Sequence, residues 1–166
     1  MSMKRIVTVA SLAVLLIGVA QCTAGPNVPA LKDVFKDHFL IGGAPNRSVV
    51  TGRDPNAAAI AEKHFNTITP ENDLKWQRIH PLPDRYNWEP ADSFVAFGEK
   101  NEMFLVGHTL VWHSQTPRWV FQDEAGDPLT RDALLARMKD HITTVVGRYK
   151  GRIKGWDVVN EALNEN

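Results

Sequence analysis

The sequence predicts an α/β fold in which parallel strands are joined by helical crossovers. Strand-like runs alternate four times with helical patterns, and no hairpin turn signal separates the runs. The runs are apolar on successive residues, which is typical of strands with both faces covered. This pattern is that of a (β/α)8 TIM barrel, whose complete form takes about 250 residues. We therefore expect this chain to hold about the first four β/α units.

Four apolar runs have the length of buried strands, and the second is β-branched and closed by Pro70. They are residues 39–44, 65–69, 103–110 and 153–159. The stretch 76–88 separates the second run from the next helix and contains two prolines and an asparagine. Those residues predict a loop there.

Helices are predicted before the first strand and between successive strands, at residues 28–37, 54–64, 90–101 and 130–149. Asp54 can cap the second helix, and Pro55 occupies its first helical position. Thr130 can cap the last helix, in which apolar residues recur every three or four positions and form one face.

Residues 1–24 have the pattern of a secretory signal peptide. Lys4 and Arg5 precede an apolar run over residues 6–20, and small residues follow as far as Ala24. A membrane-spanning helix is the alternative, but it needs about 20 apolar residues and this run is shorter. We expect a secreted or periplasmic protein with no stable membrane association, whose catalytic unit occupies residues 25–166.

The cysteine content argues against a disulfide and a lipid anchor, and the net charge argues against nucleic acid as a partner. Cys22 is the single cysteine, so no internal disulfide can form, and cleavage after Ala20 or Ala24 decides whether the mature chain keeps it. Gln21 in front of Cys22 argues against lipid attachment. Loss of residues 1–24 lowers Lys+Arg from 19 to 17 against 19 Asp+Glu, a net charge of −2. That balance argues against a nucleic-acid partner.

Polar side chains follow the second, third and fourth predicted strands. They are Glu71, Asn72 and Lys75, then His108, Trp112, His113 and Gln115, and finally Asn160 and Glu161. Active sites of barrels lie at the carboxyl ends of the strands, so we expect these side chains to form one site. Trp112 is also compatible with an ordinary core position. The spacing of His108 and His113, without further His or Cys, argues against zinc.

Glu161 is the candidate catalytic residue. The Asn160–Glu161 pair ends an apolar strand and places a carboxyl group beside an amide. Glycoside hydrolysis needs a carboxylic acid that protonates the leaving oxygen and whose pKa is high enough to keep it protonated near the working pH. A lone glutamate at a strand end is usually a solvated surface acid, so the assignment depends on the motifs around it.

Three motifs surround these residues: Thr69–Trp76 (TPENDLKW), Gly107–Pro117 (GHTLVWHSQTP) and Trp156–Ala162 (WDVVNEA). Together they resemble glycoside hydrolase family 10, the endo-β-1,4-xylanases, and the resemblance covers nearly all of residues 25–166. It implies retaining hydrolysis of internal β-1,4-xylosidic bonds in xylan by a monomeric enzyme that needs neither a metal nor an organic cofactor.

The resemblance also implies a role for each residue. Glu161 is similar to the acid/base and Asn160 to the residue that holds the neighbouring sugar hydroxyl, while His113 is similar to a histidine near the catalytic glutamates. The other positions match sugar contacts: Glu71, Asn72, Lys75, His108, Trp112 and Gln115. The family's nucleophile is a glutamate on strand seven, so we expect this chain alone to be inactive.

Two other functions are compatible with the sequence. A related β-1,4-glucanase would share the Asn160–Glu161 pair, although the block from His108 to His113 favours a xylanase. A catalytically inactive sugar-binding fragment is the second alternative, since it would use the same polar cluster without a nucleophile.

Overall fold

The computed structural model describes residues 28–163. The predicted signal peptide at residues 1–24, with Cys22, lies outside the described residues. Within the described part of the chain, no helix is long and apolar enough to span a bilayer.

Four strands form one parallel sheet in the order β1-β2-β3-β4, as predicted. They are β1 Gly42–Gly43, β2 Thr67–Ile68, β3 Phe104–Trp112 and β4 Gly155–Asn160. Each strand pairs with the next one along the chain, which is the strand order of a barrel. The first two strands are shorter than predicted. The Asn66 side-chain oxygen accepts a hydrogen bond from the Ile41 N–H at 2.7 Å, so a side chain replaces the backbone partner just before β1.

Six α-helices and one 3₁₀ helix lie among the described residues. They are α1 Leu31–Val34, α2 Arg47–Val50, α3 Pro55–His64, α4 Trp76–Ile79, α5 Glu89–Lys100 and α6 Arg131–Arg148, with the 3₁₀ helix at Arg118–Val120. The predicted caps are confirmed. Asp54 accepts a hydrogen bond from the Ala57 N–H at 3.0 Å, and Thr130 accepts one from the Ala133 N–H at 3.3 Å.

Besides the 3₁₀ helix, two short α-helices were not predicted. In front of α2, the Asn46 side-chain oxygen accepts hydrogen bonds from the N–H groups of Ser48 and Val49 at 3.0 and 3.3 Å, which caps the helix. Helix α4 falls inside the predicted loop 76–88, where Trp76 and Ile79 are buried. Helices of four residues are too short to give a periodic apolar pattern, so neither could be recognised from spacing.

The core lies between the sheet and helices α5 and α6. Phe94 and Val95 of α5, Leu105 of β3, and Val145 and Tyr149 at the end of α6 are almost fully buried. The expectation that both faces of every strand are covered is wrong for β4 in the described residues. Val158 and Val159 are 51% and 55% exposed, and β4 is an edge strand of the described sheet.

Candidate active site

Glu161 directly follows β4 and lies beside Trp112, the last residue of β3. Trp112 pairs with Asn160 across the two strands, and this register brings the next residue to the indole. The Trp112 Nε1–H donates a hydrogen bond of 2.7 Å to Glu161 Oε2. His113 Nε2 lies 3.8 Å from the same oxygen, and the Glu161 side chain remains 59% exposed. The carboxyl group is therefore held by the Trp112 indole, lies near the His113 ring and is open to solvent.

Lys75 connects the polar residues that follow β2 to those at the end of β3. Its ammonium group donates a hydrogen bond of 3.0 Å to the Asn72 side-chain oxygen and lies 4.8 Å from the centroid of the Trp112 ring. A cation at this distance from an indole face is attracted by about 0.5 to 1 kcal/mol at an exposed site. Asn72, Lys75, Trp112 and Glu161 thus form one continuous row of contacts.

His108 is held by a residue that sequence reasoning missed. Its Nδ1 lies 2.9 Å from Asp157 Oδ2, and the two residues pair directly in the β3–β4 register. Thr109, joined to His108 by a cis peptide bond, donates a hydrogen bond of 2.9 Å to the Asp157 carbonyl oxygen. Asp157 stands inside the motif that ends at Ala162, but nothing in the sequence pairs it with His108. Asp157 contacts Nδ1 only, so Nε2 is the ring nitrogen of His108 that this contact does not use.

Glu71 and Asn72 lie at the edge of the row, in a cavity of about 230 Å³ that Asp73 and Arg78 also line. Arg47 of α2 lines the same cavity and donates two hydrogen bonds, of 2.9 and 3.4 Å, to the Asp73 carboxylate. This contact raises the pKa of Arg47. Arg47 was missed together with α2, since Asp73 becomes its partner only once the chain folds back from β1.

Gln115 and Asn160 are placed differently from the others. Gln115 has a φ of +50° and lines a neighbouring groove, where its carbonyl oxygen accepts a hydrogen bond of 2.9 Å from the Gln77 N–H. Asn160 is half-buried on β4 and pairs through its backbone with Trp112. In residues 28–163, no group of three or more His, Cys, Asp or Glu side chains is placed to hold a metal ion.

Comparison with known protein families identifies the family of the chain. The model of glycosyl hydrolase family 10 matches residues 30–166. The chain belongs to glycosyl hydrolase family 10. This confirms the resemblance drawn from the three motifs.

Family 10 relatives of this chain carry xylanase names. A β-1,4-xylanase of Dictyoglomus thermophilum is 50% identical over 142 residues, which cover 86% of this chain and 38% of that protein. Endo-1,4-β-xylanase A of Xylanibacter ruminicola is 48% identical over 140 residues, covering 84% of this chain and 38% of that protein. The chain therefore spans less than two fifths of the length of these two relatives.

Solved family 10 structures match the fold of the described residues. A GH10 endoxylanase from a sugarcane soil metagenome superimposes with a TM-score of 0.79 at 49% identity, over 82% of this chain and 40% of that one. A mutant solved in complex with xylotriose superimposes with a TM-score of 0.78 at 41% identity, over 84% of this chain and 41% of that one. The four parallel strands and their helices are part of a (β/α)8 barrel, as predicted.

Proposed function

We propose that the protein hydrolyses internal β-1,4-xylosidic bonds of xylan with retention of configuration, and that Glu161 is its acid/base. The observation that carries the proposal is the hydrogen bond of 2.7 Å from Trp112 to an exposed Glu161 carboxyl group at the carboxyl ends of β3 and β4. The xylanase names of the relatives and the xylotriose bound to one solved relative support xylan as the substrate.

The two oxygens of Glu161 have different tasks in this mechanism. Trp112 Nε1–H holds Oε2, which leaves Oε1 to carry the proton that passes to the leaving oxygen. In a retaining reaction the resulting carboxylate then takes a proton from water, while a second carboxylate about 5 to 5.5 Å away forms the covalent intermediate. The structure describes four strands, so a strand-seven nucleophile lies outside the described residues.

The polar row positions the sugar chain next to Glu161. Lys75 donates three N–H groups in total, of which one is used by Asn72, so others remain for sugar hydroxyls. His108 Nε2 is available because Asp157 engages the opposite ring nitrogen. Asn160 and Glu71 complete the proposed contacts, and Gln115 extends them into the next groove.

The proposal also includes the compartment in which the protein acts. We propose that residues 1–24 direct export, and that the protein acts as a secreted or periplasmic monomer, with xylan as its partner and without nucleic acid or stable membrane binding. Amino-terminal sequencing of the protein recovered outside the cytoplasm tests the export step. A product that begins at Met1 and stays in the cytoplasm would contradict it.

The assignment of Glu161 is tested by Glu161→Ala in the full-length gene product. Hydrolysis of xylan should fall by several orders of magnitude, whereas cleavage of an aryl xyloside with a good leaving group should fall much less, since that group departs with little protonation. Azide, which needs no general base, should restore part of the rate on the aryl substrate. Reducing-end release from xylan and from a β-1,4-glucan, measured with the wild type, separates a xylanase from a glucanase.

Glu71→Gln is the matched control, because it removes a carboxylate from the same cleft. Its loss should affect substrate binding and turnover together and should not respond to azide, since its proposed contact is with the sugar. Equal losses of Glu161→Ala on both substrates, with no effect of azide, would assign Glu161 a binding or structural role instead.

A further inference from the structure

A groove of about 610 Å³ lies next to the site and is lined by both apolar and polar residues. We call it the arginine groove. Its apolar lining residues are Pro81, Leu82, Pro117 and Trp119, and its polar ones are Gln77, Arg78, Gln115 and Arg118. A concave apolar surface with a few polar groups is the usual form of a small-ligand site.

Backbone contacts hold the two walls of the groove together. The Gln77 N–H of α4 donates a hydrogen bond of 2.9 Å to the Gln115 carbonyl oxygen in the loop after β3. Trp119 Nε1–H donates one of 3.0 Å to the Pro81 carbonyl oxygen. These bonds join segments that are 38 residues apart, so the groove is preformed and not the product of one loose loop.

The groove carries two positive charges, and one of them, on Arg78, also lines the cavity of Glu71 and Asp73. Neither Arg78 nor Arg118 forms an ion pair within residues 28–163, and Arg118 donates only a hydrogen bond of 3.3 Å to the neutral Gln122 side chain. No acidic residue lines the groove. By contrast, Arg148 and Arg152 each contact a carboxylate within 2.8 Å. The groove is therefore suited to an anion.

The groove is continuous with the proposed sugar-binding row. Arg78 lines both the arginine groove and the cavity of Glu71 and Asn72. Gln115, a predicted sugar contact, lines the groove itself. Arg78 therefore stands where the two cavities meet.

We propose that the arginine groove binds the carboxylate of a uronic acid side group on the xylan chain, an inference that rests on the proposed function. The guanidinium fork matches a carboxylate with two parallel hydrogen bonds, which a neutral hydroxyl cannot replace. Trp119 and Leu82 offer apolar surface to the ring of the side group. The groove thus favours acidic over neutral xylan.

Equilibrium binding tests the proposal independently of turnover. The full-length gene product carrying Glu161→Gln is titrated calorimetrically with a xylo-oligosaccharide that bears one glucuronic acid, and with the same compound after reduction of its carboxyl to a primary alcohol. The acidic compound should bind about tenfold tighter, which corresponds to about 1.4 kcal/mol. The preference should shrink as salt is added, because the groove is open to solvent.

Substitution of both arginines decides whether they cause the preference. Arg78→Gln with Arg118→Gln should bring the two compounds to equal affinity. Arg53→Gln is the matched control. Arg53 donates a hydrogen bond to Thr51, and Thr51 lines a different groove, which residues of α2, α3 and α5 also line. Equal affinity of both compounds for the unsubstituted groove, or a preference that survives the double substitution, overturns the inference. Failure to hydrolyse unsubstituted xylan would instead count against the proposed function.

Discussion

Trp112 and Glu161 are joined by a hydrogen bond of 2.7 Å between the indole Nε1–H and the carboxyl Oε2. The bond connects the end of β3 to the residue after β4, so the sheet register determines where the carboxyl group lies. A general acid must be held within hydrogen-bond reach of the oxygen that it protonates. In the proposed mechanism the indole therefore positions Glu161 as well as making any contact with sugar.

Trp112→Phe should lower kcat on xylan by about tenfold, since it removes one donor to a charged group, worth about 1.5 kcal/mol. The phenyl ring keeps an aromatic face near Lys75. Because the lost bond positions Glu161, the loss should be larger on xylan than on an aryl xyloside with a good leaving group, which departs with little protonation. Steady-state kinetics on both substrates measure the two effects.

Trp88→Phe is the control for the loss of an indole. Trp88 stacks on Tyr86 at 4.5 Å and packs against Tyr149, away from Glu161. It should alter stability without lowering kcat on xylan. An unchanged kcat for Trp112→Phe, with only a higher KM, would mean that Trp112 contacts sugar alone.

The predictable part of the fold is the part with local signals. Helices α3 and α6 were predicted with their caps, because the capping residues and the apolar spacing of α6 lie within or next to each segment. Helices α2 and α4 have four residues each and contain no period. The extents of β1 and β2 depend on pairing partners about 25 residues apart, which no local pattern contains.

The residues of the candidate site also fall into two groups, those with a local sequence signal and those without one. Glu161, Trp112 and Lys75 stand in motifs that can be read along the chain, and the structure brings them into one row. Asp157 was missed because its role depends on the register that sets it opposite His108. Arg78 was missed because its position between two cavities follows from the unpredicted helix α4.

The exposed edge of β4 leads to a prediction about association. Val158 and Val159 are more than half exposed, and β4 has a single neighbour in the described sheet. Unpaired strand edges with apolar side chains promote association. A polypeptide restricted to residues 25–166 should therefore dimerise or aggregate at micromolar concentration, as measured by sedimentation velocity.

Val158→Lys should reduce this association, since a charge on an edge strand opposes pairing. Leu135→Lys is the matched control, because Leu135 is an exposed apolar residue on helix α6 and not on a strand edge. A monodisperse monomer of the unsubstituted polypeptide with a sharp thermal transition would contradict the prediction.

His80 and His141 form a buried pair in which both rings are neutral. Their Nδ1 atoms are 3.2 Å apart, and His80 Nε2 lies 3.2 Å from the Pro83 carbonyl oxygen. A carbonyl can only accept, so His80 carries its proton on Nε2 and accepts at Nδ1 from His141. His141 Nε2 is then left without a partner in the described residues, while Trp76 stacks on that ring at 3.9 Å.

Burial lowers the pKa of His141 to about 3, with a further contribution from His80, and burial also lowers the pKa of His80 against the opposing effects of Pro83 and Asp140. In the unfolded chain each imidazole takes up a proton near pH 6.5. The unfolded state therefore binds more protons below pH 6.5. The free energy of unfolding should be constant above about pH 7 and fall as the pH decreases, by about 1.4 kcal/mol per pH unit for His141 alone.

Urea unfolding of the full-length gene product between pH 5 and 8 tests this dependence. Between pH 6.5 and 5 the free energy of unfolding should fall by on the order of 2 kcal/mol. Carboxylates whose pKa is lowered by ion pairs, such as Asp92 and Glu99, lose their contribution only below about pH 4.5, so this window isolates the histidines. His141→Phe keeps a ring against Trp76 and should reduce the slope markedly, because one proton no longer distinguishes the two states. A free energy of unfolding that is equal at pH 5 and pH 7 in the unsubstituted protein would mean that the pair is not buried in its neutral form.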